Sequence, residues 1–195
     1  MKKLGGNFTK KNIAVFISGR GSNLRSIIHH SKKKNSPYKV KIVISNKKYA
    51  KGLIIARNNK IKHYVCNLTK SKKLGKIILN KLKKHNINLI CLAGFMKILP
   101  DYFIKSFEGK IINIHPSLLP KYKGLNTHQR VILNNEKFSG CTVHYVNKFL
   151  DSGKNILQKK VRTKKNETAK SLEKKILKIE HKIYSEAVNI FLSNF

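Results

Sequence analysis

The feature that most constrains this chain is a repeated switch between short, nearly continuous apolar runs and longer amphipathic stretches. Asn12–Ser18, Tyr38–Ser45, Lys62–Cys66 and Asn88–Ala93 read as strands, the first and last apolar enough to be buried on both faces. Between them, Leu24–His30, Ala50–Asn58 and Ser71–His85 carry helical spacing. A regular βα alternation predicts an α/β fold: a mainly parallel, twisted sheet with helices on both faces and right-handed crossovers. A fifth strand begins at Ile111, so the first five strands make a Rossmann-like half. Its crevice brings the exits at Ser18, Ala93 and His115 near one another. Beyond it, Asp101–Phe107 and Thr127–Asn134 read as short helices and Gly140–Val146 as an alternating strand. Ile156–Val161 pairs antiparallel with that strand through the Asn147–Lys154 loop, and Ala169–Leu192 is a long amphipathic C-terminal helix. No repeat or linker divides residues 1–195, which are expected to form one domain behind a basic extension, 1–11.

The fifth strand ends in chemistry. Ile111-Ile112-Asn113-Ile114-His115 is followed by Pro116, which cannot continue the ladder. Side chains alternate along a strand, so Asn113 and His115 share a face at the C-terminal end, where open α/β sheets place their ligand crevice. A histidine there is also compatible with an ordinary hydrogen-bonded residue. After the first strand, Gly19-Arg20-Gly21-Ser22-Asn23-Leu24 joins strand to helix. The free N–H groups and dipole at the helix start favour an anion. The third glycine of the dinucleotide fingerprint is absent, as is the Gly-Lys-Ser/Thr of a P-loop. A single phosphomonoester therefore fits Gly21, Ser22 and Asn23 best, although such a turn can also be merely tight. Met96, Lys97, Ile98 and Leu99 follow the fourth strand and line either an apolar pocket or the core.

Composition enters through charge. The chain carries 43 Lys and Arg against eight acids, a formal net charge of +35. Such a value ordinarily points to nucleic acid or anionic membranes. Here the lysines are spread through every element, with almost no aromatics interleaved as stacking platforms. The excess of Lys, Asn and Ile matches compositional drift, and no specific nucleic-acid partner is expected. The scarcity of acids makes each one informative, and Asp151 and Glu180 draw attention by position. No apolar run approaches the ~20 residues of a membrane span, and no signal peptide is visible, so a cytoplasmic protein is expected. Cys66, Cys91 and Cys141 are widely spaced and imply neither disulfides nor a metal site; they should be reduced core residues.

Four segments together resemble one family. They are Gly19–Leu24, Leu92–Leu99, the stretch Asn-Ile-His-Pro-Ser-Leu-Leu-Pro-Lys-Tyr-Lys-Gly-Leu-Asn-Thr-His from Asn113 to His128, and Leu150-Asp151-Ser152-Gly153 through Gln158. The resemblance is to phosphoribosylglycinamide formyltransferases, which move a formyl group from 10-formyltetrahydrofolate to the amine of glycinamide ribonucleotide in purine synthesis. It implies a catalytic trio of Asn113, His115 and Asp151, and a phosphate loop of Gly21, Ser22 and Asn23. Glu180 would hold the amino end of the substrate. The implied folate site comprises Lys72, Met96, Lys97, Ile98, Leu99, Asn113, Asn147, Lys148, Phe149, Leu150 and Asp151. It also implies a cis Leu119–Pro120 bond, no metal, and a monomer or homodimer acting on small molecules. Leu177, Lys72, Asn126 and Ser152 depart from the pattern.

The chemistry supports that reading. An amine attacking a formamide carbon forms a tetrahedral intermediate whose oxyanion needs preorganised donors, a role for Asn113 and a protonated His115. A carboxylate beside an imidazole favours its charged form, which is the part Asp151 would play. Rival readings are a methionyl-tRNA formyltransferase, a formyltetrahydrofolate hydrolase, and a basic nucleic-acid-binding Rossmann-like domain. The first two carry an additional C-terminal domain or an N-terminal regulatory region for which this chain shows no room. The third leaves the retained trio without a purpose.

Overall fold

Apolar β-branched runs pair into a single seven-stranded sheet in the computed structural model, which describes residues 9–193. Residues 1–8 of the expected N-terminal extension lie outside the described residues, and Lys11 opens the first strand. β1 (Lys11–Ile17), β2 (Tyr38–Ser45), β3 (Lys62–Val65), β4 (Ile87–Leu92) and β5 (Lys110–His115) are mutually parallel. β6 (Phe138–Tyr145) pairs antiparallel with β5, and β7 (Asn155–Arg162) antiparallel with β6. The order across the sheet is β3-β2-β1-β4-β5-β6-β7.

The alternation along β1 shows how the sheet divides two cores. Ile13, Val15 and Ile17 join a cluster with side chains of α1 (Ser22–Ser31), α2 (Gly52–Asn58), α5 (Thr127–Leu133) and α6 (Ala169–Ser193). Ala14 and Phe16 face the other way, toward α3 (Lys72–Lys84) and α4 (Asp101–Ser106). From Ile13 to Ile17 each residue of β1 thus buries an apolar side chain on one layer or the other, as a strand covered on both faces requires. The three cysteines are free and buried, as expected for core residues. Both sheet edges are blunted: β3 has four residues, and β7 presents exposed Lys159, Lys160 and Arg162.

Two connections fix the crevice. Order β1-β4-β5 puts three parallel strand exits side by side, and the Ser18 N–H donates to Gly94 O at 3.1 Å across the first two. The long α6 is tied to the same region by Tyr184, fully buried, whose hydroxyl lies 2.8 Å from Leu92 O and 3.2 Å from Ile112 O. One turn before it, Glu180 is carried toward the start of α1. No helix among the described residues is long and apolar enough to cross a membrane.

Candidate active site

Asn113 and His115 leave β5 on the same side, and both line a cleft of about 450 Å³ beyond the strand ends. His115 is buried, with Nε2 2.8 Å from Tyr122 O and Nδ1 3.3 Å from Asp151 Oδ2. Both ring nitrogens therefore face oxygen acceptors, an arrangement that only a ring bearing both N–H groups satisfies fully. Asp151 sits in the β6–β7 loop in the left-handed region, φ 44°, and its Oδ2 also accepts the Gly124 N–H at 2.9 Å.

Register explains the partner of Asn113. In the antiparallel β5–β6 ladder Asn113 lies opposite His144, and Asn113 Nδ2 is 3.2 Å from His144 Nε2. His144 Nδ1 donates to Tyr145 O at 2.8 Å, which leaves Nε2 as the acceptor of the Asn113 amide. Burial pushes the His144 ring below the ordinary histidine range, more than the hydrogen bond to Tyr145 and the charge of Asp151 raise it, so the neutral tautomer this bond needs is the favoured one. His144 Nε2 is also 3.7 Å from Asp151 Oδ1. Asn113 keeps its carbonyl and one N–H for the cleft.

The loop after β5 is anchored rather than draped. Thr142 Oγ1 donates to Ser117 O at 2.7 Å and accepts from Leu119 N at 3.1 Å, while Gln158 Nε2 bridges Leu119 O and Thr142 Oγ1. The Leu119–Pro120 bond is cis, as the resemblance implied. Asn126, at the residue before α5, adopts φ 57°, a conformation asparagine tolerates better than most residues, and its side chain makes no capping hydrogen bond.

The cleft walls are apolar and open. Met96 and Ile98 are 61% and 63% exposed and Phe149 63%, whereas Leu99 is buried against the core at 4%. With Leu125 and Leu150 they offer flat apolar surface at the mouth while the polar atoms gather at the inner end, which fits an aromatic ring system carrying one reactive polar end. Ser18 Oγ accepts the Met96 N–H at 2.8 Å and holds one wall. Asn147 Oδ1, accepting from Phe149 N at 2.9 Å, holds the other. Lys97 and Asn147 line the cleft. Lys148 instead lies over the Phe149 ring at 4.9 Å, and Lys72, first residue of α3, over Tyr102 at 5.8 Å; neither is among the lining residues.

The turn after β1 forms a second polar cluster, separate from that lining. Gly21 has φ 76° and packs on α2, so that a Cβ there would stand 2.7 Å from Gly52 Cα. The N–H groups of the first turn that follows, from Ser22 onward, have no acceptor within the helix. Asn23 Nδ2 donates to Glu180 Oε2 at 2.8 Å, joining the turn to α6. Burial pushes the Glu180 carboxyl above the usual carboxylate range, partly offset by the Asn23 bond. No group of three or more His, Cys, Asp or Glu among the described residues is placed to hold a metal ion.

The sequence profile of the formyl transferase family matches residues 11–188. This chain belongs to the formyl transferase family. It is 41% identical over 184 residues to the phosphoribosylglycinamide formyltransferase of Haemophilus influenzae, covering 93% of this chain and 87% of that protein. It is 40% identical over 187 residues to the human trifunctional purine biosynthetic protein adenosine-3, covering 94% of this chain but spanning only 18% of that relative's length. Among solved structures, phosphoribosylglycinamide formyltransferase from Anaplasma phagocytophilum superposes with a TM-score of 0.89 at 39% identity, over 95% of this chain and 88% of that one.

Within this formyl transferase, Asn113, His115 and Asp151 come together at one end of the cleft, and Gly21, Ser22, Asn23 and Glu180 at the adjoining turn. Three participants escaped the sequence reading: His144, the Tyr122 carbonyl and the Gly124 N–H. His144 stands on a strand whose alternation was legible. What was missing was the β5–β6 register that sets it opposite Asn113. The other two are backbone groups, which no residue type announces.

Proposed function

We propose that this chain transfers the formyl group of 10-formyltetrahydrofolate to the amine of glycinamide ribonucleotide, a step of purine biosynthesis. The convergence of Asn113, His115 and Asp151 at the inner end of an apolar cleft carries the reading. It is supported by relatives of that name that cover nearly the whole chain. The folate supplies an activated formyl carbon. Met96, Ile98, Leu99, Phe149 and Leu150 bound the space for its rings, and Gly21, Ser22 and Asn23 would take the ribonucleotide phosphate at the start of α1. Glu180, an acceptor-only carboxylate when ionised, would hold the substrate's amino end.

At the inner end, the Asn113 amide presents an N–H donor where the carbonyl oxygen gains charge on attack, and the His115 ring, its two nitrogens turned to Tyr122 O and Asp151, brings positive charge beside it. Asp151 holds the ring's Nδ1 side and compensates its positive charge. The amine must lose a proton and the folate nitrogen must gain one, and a water held by Asp151 and His115 is the shuttle that conserves both. Neither a metal nor a covalent enzyme intermediate enters this scheme.

The test is a formyl-transfer assay with purified protein and both substrates, run beside reactions in which methionyl-tRNA replaces the ribonucleotide or no acceptor is added. Turnover with the ribonucleotide is expected. Transfer to tRNA, or acceptor-independent loss of the formyl group as the main reaction, would replace this reading with one of its relatives' activities.

A further inference from the structure

Of the acids outside the proposed site, Glu136 makes the densest set of contacts to the loop that follows β5. It lies between α5 and β6, does not line the cleft, and its side chain is 25% exposed. Its Oε1 accepts from two consecutive loop residues, Lys121 Nζ at 2.9 Å and Tyr122 Oη at 2.9 Å. The Glu136 backbone is itself fixed: its N–H donates to Val131 O at 3.2 Å at the end of α5, and its carbonyl accepts from Thr163 Oγ1 beyond β7. The carboxylate therefore projects from a rigid corner.

Tyr122 is the residue that needs holding. It has φ 56°, a left-handed conformation that is uncommon for a bulky residue and persists only where the surroundings impose it. That conformation belongs to the backbone stretch whose Tyr122 carbonyl lies 2.8 Å from His115 Nε2. The ring is gripped at its far end by Glu136 and across its face by the Arg130 guanidinium, 5.2 Å from the ring centroid. Arg130 in turn donates to Lys123 O at 2.7 Å, bracing the very next residue. A chain of contacts thus runs from Glu136 through the Tyr122 ring and backbone to the imidazole at the inner end of the cleft.

We propose that Glu136 is a positioning residue for the reaction: by pinning Tyr122 in the left-handed conformation, it aims the Tyr122 carbonyl at His115 Nε2 and so fixes the orientation of the ring. This rests on the proposed role of His115 and adds a residue that touches neither substrate. Asp151 orients the ring from the Nδ1 side, and Glu136 does so, at one remove, from the Nε2 side. Loss of the clamp should act on turnover, because the cleft walls and the α1 turn are built from other contacts. With Gln at 136 the side-chain oxygen still accepts from Tyr122 Oη and Lys121 Nζ, so the clamp should largely survive.

The experiment measures kcat and both KM values for wild type, Glu136→Ala, Glu136→Gln, Tyr122→Phe and the Glu136→Ala/Tyr122→Phe double variant, with thermal unfolding of each. Wild-type turnover comes first and bears on the function alone. Given it, Glu136→Ala should lose about tenfold in kcat with both KM values within about twofold, the signature of an interaction felt in the transition state. Glu136→Gln should recover most of that loss. The double variant should be no slower than Glu136→Ala alone, because the two residues act through one contact. An unchanged kcat in Glu136→Ala, a loss in KM instead, or additive losses in the double variant would overturn the proposal. Should Glu136→Ala fail to fold, Tyr122→Phe decides by the same split, since it removes only the hydroxyl and leaves the ring under Arg130. The ¹⁵N and ¹H signals of the His115 ring give a readout independent of turnover: a hydrogen-bonded Nε2–H is expected in wild type, weakened in Glu136→Ala and restored in Glu136→Gln.

Discussion

Replacing Asp151 by Asn separates its charge from its shape. The residue sits at φ 44°, where asparagine is among the few side chains that rest easily, so the loop backbone should survive the change. The amide oxygen can still accept the Gly124 N–H, now 2.9 Å from Oδ2. What disappears is a negative charge 3.3 Å from His115 Nδ1, in a position where both side chains are more than nine-tenths buried and screening is weak. An asparagine amide there must present either a neutral oxygen to Nδ1, losing the charge assistance, or an N–H₂ group that competes with the ring's own proton. Charge-assisted hydrogen bonds are about twice as strong as neutral ones, and loss of a positioned acid–base partner commonly costs about 10²–10⁴ in rate, or roughly 3–5 kcal/mol. We therefore expect kcat to fall by about 10²–10⁴ while both KM values change by less than about fivefold, because the apolar walls and the α1 turn do not depend on that charge. Steady-state formyl transfer, with circular dichroism and thermal unfolding as controls on folding, measures it. A folded Asp151→Asn enzyme with near-wild-type kcat would refute the reasoning and leave Asp151 as a loop anchor for Gly124.

Two further perturbations test other parts of the site. Gly21→Val places branched carbon where a Cβ already meets Gly52 Cα at 2.7 Å and forces φ 76° on a β-branched residue, so a lower melting temperature and a raised ribonucleotide KM are expected; an unchanged KM in folded protein would detach this turn from phosphate binding. Glu180→Gln should weaken the ribonucleotide yet stabilise the fold, since burial raises the carboxyl above its unfolded value: wild-type stability from this group is fully present below the ordinary Glu range of about 4.3 and is lost as pH rises through the folded value, so the melting-temperature gain of the Gln variant should grow upward from that range and vanish below it. A gain independent of pH between mildly acidic and neutral conditions would contradict this sign.

Local pattern and register contributed differently to what the sequence could disclose. The seven strand runs, the helical stretches and the Asn113/His115 pair are legible because each depends on an apolar run or on a period of two or 3.6 within a single segment. The loop bearing Asp151 was legible as a loop, but its approach to His115 depends on β6 folding back along β5, a pairing between segments more than twenty residues apart. That same pairing sets His144 against Asn113, which is why His144 read only as one position of an alternating strand. Glu136 shows the limit most plainly. It is one of eight acids in a chain of 195 residues, and its scarcity was noticed, yet neither helix nor strand period gives a loop residue a face. Only the folded chain brings its carboxylate to Lys121 and Tyr122.

The distribution of acids across the folded chain bears on how so basic a protein keeps a defined site. Glu136 and Glu167 hold lysines to loop and helix ends, at Lys121 and Lys175; the Lys121 hydrogen bond holds the Glu136 carboxyl below the ordinary range, and at Glu167 burial, which raises the carboxyl, is outweighed by hydrogen bonds from Lys175, the Lys164 N–H and Ser171. Asp151 and Glu180 are spent differently, buried at the crevice, where the first faces His115 and the second Asn23. With 43 basic side chains against eight acids the net charge is strongly positive, and it favours any anionic substrate without discriminating among them. Discrimination must then come from contacts that a uniform field cannot supply. The structure offers such contacts in the apolar cleft walls, in the α1 turn, and in two carboxylates that a merely basic surface would have no reason to bury. On the proposed function, an anion that lacks an amine for Glu180, or a ring for Met96 and Phe149, would be attracted by the same field but would find no seat.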